Sequence, residues 1–379
     1  MLLKRRIMDL LTQAGVALNG SAPCDPQIHN EHFYARVVTH GSLGLGESYM
    51  DGWWDVEDLD AFLFRVLDAH LDHKVGGFDD AWLWLKAKLL NLQRGRRAYV
   101  IGEHHYDIGN DLFEAMLGRR LVYSCGYWKN ATDSGGNGLD DAQEAKLDLV
   151  CRKLGLAPGM RVLDIGCGWG EALKFAVERY GVSGVGITVS QEQAQFAHDL
   201  CTGLPIEIRV QDYREITDKD GNERFDRSWS IGMFEHVGIK NYRRYFEIVH
   251  RCLADDGLSL LHTIGGNTST NHTDPWIAKY IFPNSLVPSA AQIARASEER
   301  FVIEDWHNFG ADYDKTLLAW RANFNAAWPQ LREKYGERFR RMWVFYLAAS
   351  AATFRARRNQ LWEIVLSPRG VPGGYRAPR

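Results

Sequence analysis

The sequence lacks the features of a disulfide-stabilised, zinc-binding or membrane-spanning protein. Its six cysteines are scattered and form no Cys-x-x-Cys pair, which disfavours both a disulfide scaffold and a zinc site and favours a reducing compartment. No stretch approaches the ~20 apolar residues that span a bilayer. The basic start of the chain also lacks the unbroken apolar run of a signal peptide. We therefore expect no bound metal, and a cytoplasmic protein that meets membranes only peripherally.

The sequence also lacks a strong charge of one sign. The formal net charge is −3, so no global positive field is available to attract nucleic acid or an anionic membrane, and we expect no nucleic-acid partner. Aromatic residues, in contrast, are abundant, with 13 Trp, 15 Tyr and 17 Phe. This number exceeds what a core usually needs and suits surfaces that meet apolar ligands or lipid headgroups.

A chain of 379 residues is longer than one hydrophobic core usually supports, so we expect two unequal domains. Turn-forming sequences at 19–23 and 42–46 break the first part of the chain into short helices. We place a small helical, lipid-docking domain at 1–88, a linker at 89–108 and a catalytic domain at 109–379.

The segment 81–102 is basic and contains no acidic residue. Five basic residues alternate with Trp and Leu in it: Lys86, Lys88, Arg94, Arg96 and Arg97. This composition is typical of an amphipathic helix that lies in a membrane interface. It fits equally well a helix that packs on its own domain with its charges in solvent, and the sequence does not decide between the two.

From Met160 onward, short apolar strands alternate with helices, which predicts an α/β fold with a parallel, Rossmann-like sheet. The predicted strands are 161–165, 184–189, 206–211, 226–233 and 258–263.

The first of these strands leads into a glycine-rich turn that indicates a nucleotide-type site. Asp164 precedes Gly166, Gly168 and Gly170, and a helix follows. Glycine allows close approach of the backbone to a ligand. The spacing differs from the Gly-x-Gly-x-x-Gly of dinucleotide-binding units. It is the form seen in methyltransferases that bind S-adenosylmethionine.

Residues at the next two strand ends extend this site, because ligands of open α/β sheets bind at the carboxyl ends of the strands. Thr188 stands where many methyltransferases have an acidic residue for the ribose, and Gln193 could take that role. Asp212 is placed to accept a hydrogen bond from the adenine amino group, and an ordinary turn aspartate is the less favoured interpretation. The full set predicted to bind S-adenosylmethionine is Tyr123, Ser124, Asp164, Gly166, Gly168, Gly170, Thr188, Gln193, Asp212 and Tyr213.

Five longer motifs, in order along the chain, identify a family. They occupy residues 41–54, 123–128, 232–238, 261–265 and 308–314. Together they closely resemble the bacterial cyclopropane-fatty-acyl-phospholipid synthases, over almost the whole chain. The resemblance includes the small N-terminal domain, which the related mycolic acid cyclopropane synthases lack.

The resemblance implies a usually dimeric enzyme that transfers the methyl group of S-adenosylmethionine to the cis double bond of acyl chains in membrane phospholipids. It also implies a bound bicarbonate ion, held by residues that match Cys125, Glu235, His262, Ile264 and Tyr313. Each of these alone would be interpreted as a buried residue satisfied by its neighbours. Their joint match favours a site.

One position departs from the family pattern. Ser350 replaces a cysteine that is common in the corresponding helix. An alkene needs no base or side-chain nucleophile before it attacks a sulfonium methyl group, so we expect the enzyme to be active. Two competing interpretations are a related methyltransferase that makes a methyl-branched lipid or methylates a small amine, and a lipid-binding or regulatory protein that has lost catalysis.

Overall fold

The computed structural model describes residues 2–75, 108–129, 138–216 and 223–379. The helices in these ranges are α1 (Leu2–Gln13), α2 (His32–Met50), α3 (Leu59–Asp68), α4 (Asn110–Leu117), α5 (Gly138–Lys153), α6 (Glu171–Tyr180), α7 (Gln191–Leu200), α8 (Tyr242–Cys252), α9 (Pro275–Tyr280), α10 (Ala290–Ser297) and α11 (Ala311–Arg355). The strands are β1 (Gln27–Ile28), β2 (Trp54–Asp55), β3 (Arg161–Ile165), β4 (Ser183–Thr188), β5 (Ile206–Val210), β6 (Phe225–Ile231), β7 (Leu253–Gly266), β8 (Val302–Asn308) and β9 (Asn359–Ser367).

Seven strands form a mixed sheet in the order β5-β4-β3-β6-β7-β9-β8. The pairs among β5, β4, β3, β6 and β7 are parallel, and β8 pairs antiparallel with β9. The predicted Rossmann-like α/β fold is confirmed, and the five predicted strands coincide with β3 to β7 to within two residues at their carboxyl ends, except that β7 is longer than predicted at both ends. Strands β8 and β9 were missed. Half-exposed β8 carries Glu304, Asp305 and His307 and has no apolar run that predicts a strand.

The central strands are buried on both faces, as parallel strands covered by helices are. Local signals then fix where the neighbouring helices begin and end. Helix α6 ends at Gly181, whose left-handed backbone suits a helix C-terminus. Helix α7 begins where the Ser190 side chain accepts a hydrogen bond from the Gln193 backbone. Helix α7 therefore begins directly after the carboxyl end of β4.

The chain divides into two compact units. One consists of 1–90, 271–283 and 313–359, and the other of 91–270, 284–312 and 360–379. Within the first unit, Arg321 and Arg355 both bind the buried Asp60, at 2.6 and 2.9 Å. Such pairs between distant segments carry no sequence signal. The domains predicted at 1–88 and 109–379 stay a prediction.

One prediction for the N-terminal region is wrong, and another concerns residues outside the described ranges. The predicted break at 42–46 is wrong, because these residues are helical within α2, and the backbone departs from helical angles at Gly41 instead. The basic segment 81–102 lies outside the described residues. Across the described ranges, no helix is both long and apolar enough to cross a bilayer.

Candidate active site

A cavity of about 170 Å³ lies at the carboxyl ends of β3, β4 and β6, within the second unit. Nine of the ten residues predicted to bind S-adenosylmethionine line it: Tyr123, Ser124, Asp164, Gly166, Gly168, Thr188, Gln193, Asp212 and Tyr213. The tenth, Gly170, does not line the cavity. The strand ends therefore bring together residues that are up to 90 positions apart in the sequence.

The glycines of the turn after β3 have different roles. Gly168 has φ of 54°, and a Cβ there would meet nothing within 4 Å, so the backbone is open toward the cavity. Gly166 has φ of 89°, and a Cβ would lie 2.8 Å from the Met233 side chain. A Cβ on Gly170 would instead lie 3.0 Å from Ala197 of α7. A side chain at Gly170 would therefore press against α7.

Two buried charged groups lie at the wall of the cavity. Burial raises the pKa of Asp164 to about 7, and its Oδ2 has no hydrogen-bond partner among the described residues. Lys146 is fully buried, and its Nζ donates to Ser124 Oγ at 2.9 Å. Burial lowers the pKa of Lys146 to about 8. The sequence did not indicate Lys146, because a lysine in a charged helix ordinarily points to solvent.

The side chains predicted to contact the nucleoside are already ordered by neighbours. Thr188 Oγ1 donates to Gln193 Oε1 at 3.1 Å. Asp212 accepts from the backbone and Nε of Arg214 at 2.9 and 2.8 Å, and from its Nη2. A carboxylate has about four acceptor positions, so Asp212 retains capacity for a further donor. Sequence reasoning missed Arg214, which also lines the cavity.

Three of the five residues predicted to hold bicarbonate meet at the ends of β6 and β7. Glu235 follows β6, and its Oε1 accepts a hydrogen bond of 2.6 Å from the Ile264 backbone of β7. His262 lies two residues before Ile264, and its carbonyl accepts from the Gly232 backbone at 2.9 Å. Ile264 therefore orients Glu235 directly. The buried Cys125 donates through Sγ to the Gly126 carbonyl, beside Ser124 at the cavity wall.

Glu235 and His262 are buried polar groups with an unused atom each. Glu235 Oε2 and His262 Nε2 have no hydrogen-bond partner among the described residues. Burial raises the pKa of Glu235 to about 7, so it can hold or release a proton near neutrality. Burial also lowers the pKa of His262, which keeps the ring neutral. One group that can donate or accept and one ring nitrogen are thus available to a small polar ligand.

Tyr313 and Ser350 belong to the other unit. Tyr313 is buried and packs its ring on Phe354, with a centroid distance of 4.6 Å. Ser350 lies in α11, where its backbone carbonyl accepts from Thr353 Oγ1 at 2.7 Å. The role of Tyr313 in a bicarbonate site stays a prediction.

The chain is similar to several known proteins. A family model described as mycolic acid cyclopropane synthetase matches residues 93–364. The chain is 52% identical to a cyclopropane-fatty-acyl-phospholipid synthase of Escherichia coli (strain K12), over 98% of this chain and 94% of the relative. It is 31% identical to the tuberculostearic acid methyltransferase UfaA1 of Mycobacterium tuberculosis, over 96% of this chain and 88% of the relative. The crystal structure of mycolic acid cyclopropane synthase CmaA1 complexed with SAH and CTAB matches with a TM-score of 0.64 and 31% identity, and the match covers 72% of this chain and 98% of that one.

Proposed function

Since the chain belongs to the mycolic acid cyclopropane synthetase family, whose members use S-adenosylmethionine, we propose that it forms cyclopropane rings on unsaturated acyl chains of membrane phospholipids. The observation that carries the proposal is the cavity at the strand ends beside the buried Glu235 and His262. The 52% identity to a cyclopropane-fatty-acyl-phospholipid synthase across 98% of the chain supports the phospholipid substrate.

The residues at the cavity fit S-adenosylmethionine as the methyl donor. The open backbone at Gly168 leaves room for a ligand against the turn, and Asp212 can accept a further hydrogen bond from the adenine amino group. The unpartnered Oδ2 of the buried Asp164 needs a polar partner, which a ligand in the cavity would supply. S-adenosylmethionine contains no phosphate, which is in keeping with a glycine spacing that differs from that of phosphate-binding dinucleotide units.

The chemistry needs little activation by the protein. An alkene has no proton to lose before it attacks the sulfonium methyl group, so the protein contributes mainly in-line positioning and exclusion of water. The attack leaves a carbocation on the acyl chain. A proton must then leave the transferred methyl group so that the ring closes.

The free atoms of Glu235 and His262 fit a bicarbonate ion, which carries one O–H donor and several acceptor oxygens. Glu235, His262 and Cys125 would hold the ion, with Ile264 orienting Glu235 and Tyr313 completing the set that the family resemblance implies. When bound, bicarbonate supplies a base for the proton that leaves as the ring closes. Glu235, with its pKa near neutrality, can carry a proton between this site and solvent.

We further propose a cytoplasmic homodimer that docks on the inner face of the membrane, with segment 81–102 as the contact. The support is compositional: the segment is basic and rich in Trp and Leu, whereas the whole chain has a net charge of −3.

A second candidate is a methyltransferase that leaves a methyl branch without closing a ring, which is favoured by the 31% identity to a tuberculostearic acid methyltransferase. The two are distinguished with purified enzyme, S-adenosylmethionine and vesicles of cis-monounsaturated phospholipid. Gas chromatography with mass spectrometry of the acyl chains should show the cyclopropane product. A methyl-branched product would support the second candidate, and unaltered lipid with a methylated amine would contradict both.

A further inference from the structure

A chain of buried ionisable groups lies behind His262, away from the residues predicted for the site. His262 Nδ1 is 3.2 Å from Glu363 Oε1, and Glu363 Oε2 is 2.9 Å from Lys153 Nζ. Lys153 also contacts His307 Nδ1 at 3.0 Å and Asp305 Oδ2 at 3.5 Å. His262, Glu363 and Lys153 are all at most 1% exposed.

These groups come from elements that no sequence motif connects with the site. His262 belongs to β7, Glu363 to the neighbouring β9, and Asp305 and His307 to β8 at the edge of the sheet. Lys153 is the last residue of α5. All of them are in the second unit, with the cavity.

Glu363 is an ionised carboxylate despite its burial, because it lies beside the Lys153 ammonium. Burial alone would raise the pKa of Glu363, yet the hydrogen bond to His262 and the Lys153 ammonium hold it at about 2. Glu363 is therefore an ionised carboxylate, which can only accept hydrogen bonds. A neutral imidazole donates from one nitrogen only. The proton of His262 must then be on Nδ1, facing Glu363.

The proton on Nδ1 determines what the other nitrogen of the His262 ring, Nε2, can do. With the proton on Nδ1, Nε2 carries a lone pair and can only accept a hydrogen bond. Nε2 is the atom without a partner among the described residues. Burial disfavours a second proton on the ring, and together with the charges of Lys146 and Lys153 it outweighs the opposing effect of Glu363, so that the pKa of His262 is lowered.

A purely structural need for Glu363 is hard to justify. A buried ion pair often stabilises no better than apolar side chains of similar volume, so its contribution to stability does not by itself account for Glu363. Asp305, in contrast, has a partner of its own, because Arg379 binds it with two hydrogen bonds of 2.6 and 2.9 Å.

We propose that Glu363, compensated by Lys153, is a positioning residue that fixes the proton of His262 on Nδ1 and presents Nε2 as a hydrogen-bond acceptor to the ligand of the active site. The inference rests on the proposed function, because it assigns the ligand a hydroxyl group. A bicarbonate ion, which has one, is accepted, whereas an oxyanion of similar size without a proton, such as nitrate, is not.

The test observes the ring directly in the ligand-free protein. Long-range ¹H–¹⁵N correlation spectra of ¹⁵N-histidine-labelled wild type, with His262 assigned through His262→Asn, report which nitrogen carries the proton. We expect the proton on Nδ1. A proton on Nε2 in the wild type would overturn the proposal, and this measurement needs no Glu363 variant to fold.

Two variants of Glu363 and one control variant of Asp305 separate positioning from stability. Glu363→Gln can donate to Nδ1, so the proton of His262 should move to Nε2 and turnover should fall by about 10- to 100-fold, the usual scale for an outer-shell partner. Glu363→Asp keeps the carboxylate and should keep the Nδ1 proton. The matched control Asp305→Asn alters Lys153 but not His262, and should leave both the spectrum and turnover close to wild type. An unchanged His262 spectrum in folded Glu363→Gln would contradict the inference.

The positioning role of Glu363 and the proposed bicarbonate function would fail in different ways. If the spectra behave as expected but wild-type turnover does not depend on added bicarbonate, the positioning role stands and the bicarbonate function fails. If the wild type makes cyclopropane lipid in a bicarbonate-dependent manner while Glu363→Gln leaves the His262 proton on Nδ1, the positioning role alone fails.

Discussion

At the residue scale, burial decides what Glu235 can do. A carboxyl group in water is ionised at neutral pH, whereas burial places the pKa of Glu235 at about 7. Glu235→Gln keeps an oxygen for the Ile264 backbone but cannot exchange a proton. We expect turnover to fall by ~10²-fold or more, the upper part of the usual contribution of an acid–base group.

The readout for this variant is initial turnover on phospholipid vesicles, together with calorimetric affinity for S-adenosylhomocysteine. The affinity should stay close to wild type, since Glu235 is not among the residues that line the cofactor cavity. Turnover near the wild-type value in Glu235→Gln would remove Glu235 from the mechanism.

Ser350 tests whether the family cysteine at this position has a chemical role. A serine nucleophile needs an adjacent base, yet the positions that share its helical face are Tyr346, Leu347, Thr353 and Phe354. We expect Ser350→Ala to retain most of the activity and Ser350→Cys to be tolerated, measured as turnover at matched cofactor occupancy. Loss of turnover in a folded alanine variant that binds cofactor would show a chemical role.

Single residues were predictable from the sequence where a motif tied them to a strand end. Asp164, Thr188 and Asp212 line the cavity for that reason. Lys146 and Glu363 were not predictable, because their partners come from distant elements and a charged residue carries no local sign of burial. Gly170 was assigned to the ligand although its close contact is with α7.

At the element scale, the parallel core of the sheet could be predicted and its antiparallel edge could not. Strands β3 to β7 alternate with helices, which fixes their type and order, whereas β9 follows the long helix α11 and β8 is half exposed. The site depends on both parts, since Glu363 of β9 contacts His262 of β7.

Arg341 of α11 joins two elements of the first unit and gives an element-scale prediction. Its guanidinium donates to the Tyr49 and Trp54 carbonyls at 2.5 and 2.9 Å, and pairs with Asp55 at 2.8 Å. Arg341→Met would leave two carbonyls without this donor. We expect a loss of about 2 kcal/mol in the free energy of unfolding, from denaturant titration. Arg332→Met, at an exposed position of the same helix, is the matched control, and equal loss in both variants would contradict the assigned role.

At the scale of the whole molecule, stability should depend on pH through Glu235. The folded state holds the Glu235 proton up to a pKa of about 7, while the unfolded chain releases it near the ordinary value of 4.5. The folded state therefore binds more protons between these values, and its stability falls as pH rises through this window. The full difference is about 3 kcal/mol.

Glu235→Gln isolates this contribution, since Asp164, whose pKa is also raised to about 7, is common to both proteins. Denaturation midpoints measured from pH 4.5 to 8 should show the variant gaining stability relative to the wild type as pH rises. A constant difference across this range would mean that Glu235 titrates at its ordinary value in the folded protein.

The proposal that the whole molecule docks on a membrane is supported by the sequence alone. A net charge of −3 opposes binding to an anionic surface, so a local basic segment must supply the attraction. The segment 81–102 provides five positive charges, and each basic residue near such a surface contributes about 1 kcal/mol. The variant to test replaces all five with Gln: Lys86, Lys88, Arg94, Arg96 and Arg97.

The matched control replaces five exposed basic residues elsewhere with Gln, so that net charge changes equally: Arg5, Lys240, Arg251, Arg295 and Arg332. In sedimentation with anionic phospholipid vesicles at low salt, we expect the segment variant to bind at least about tenfold more weakly than the control, because attraction to the surface acts locally within about a Debye length. Affinity for S-adenosylhomocysteine should be the same in both. Equal vesicle binding by the two variants would show that the segment packs within its own domain, its charges solvated, and that another surface meets the lipid.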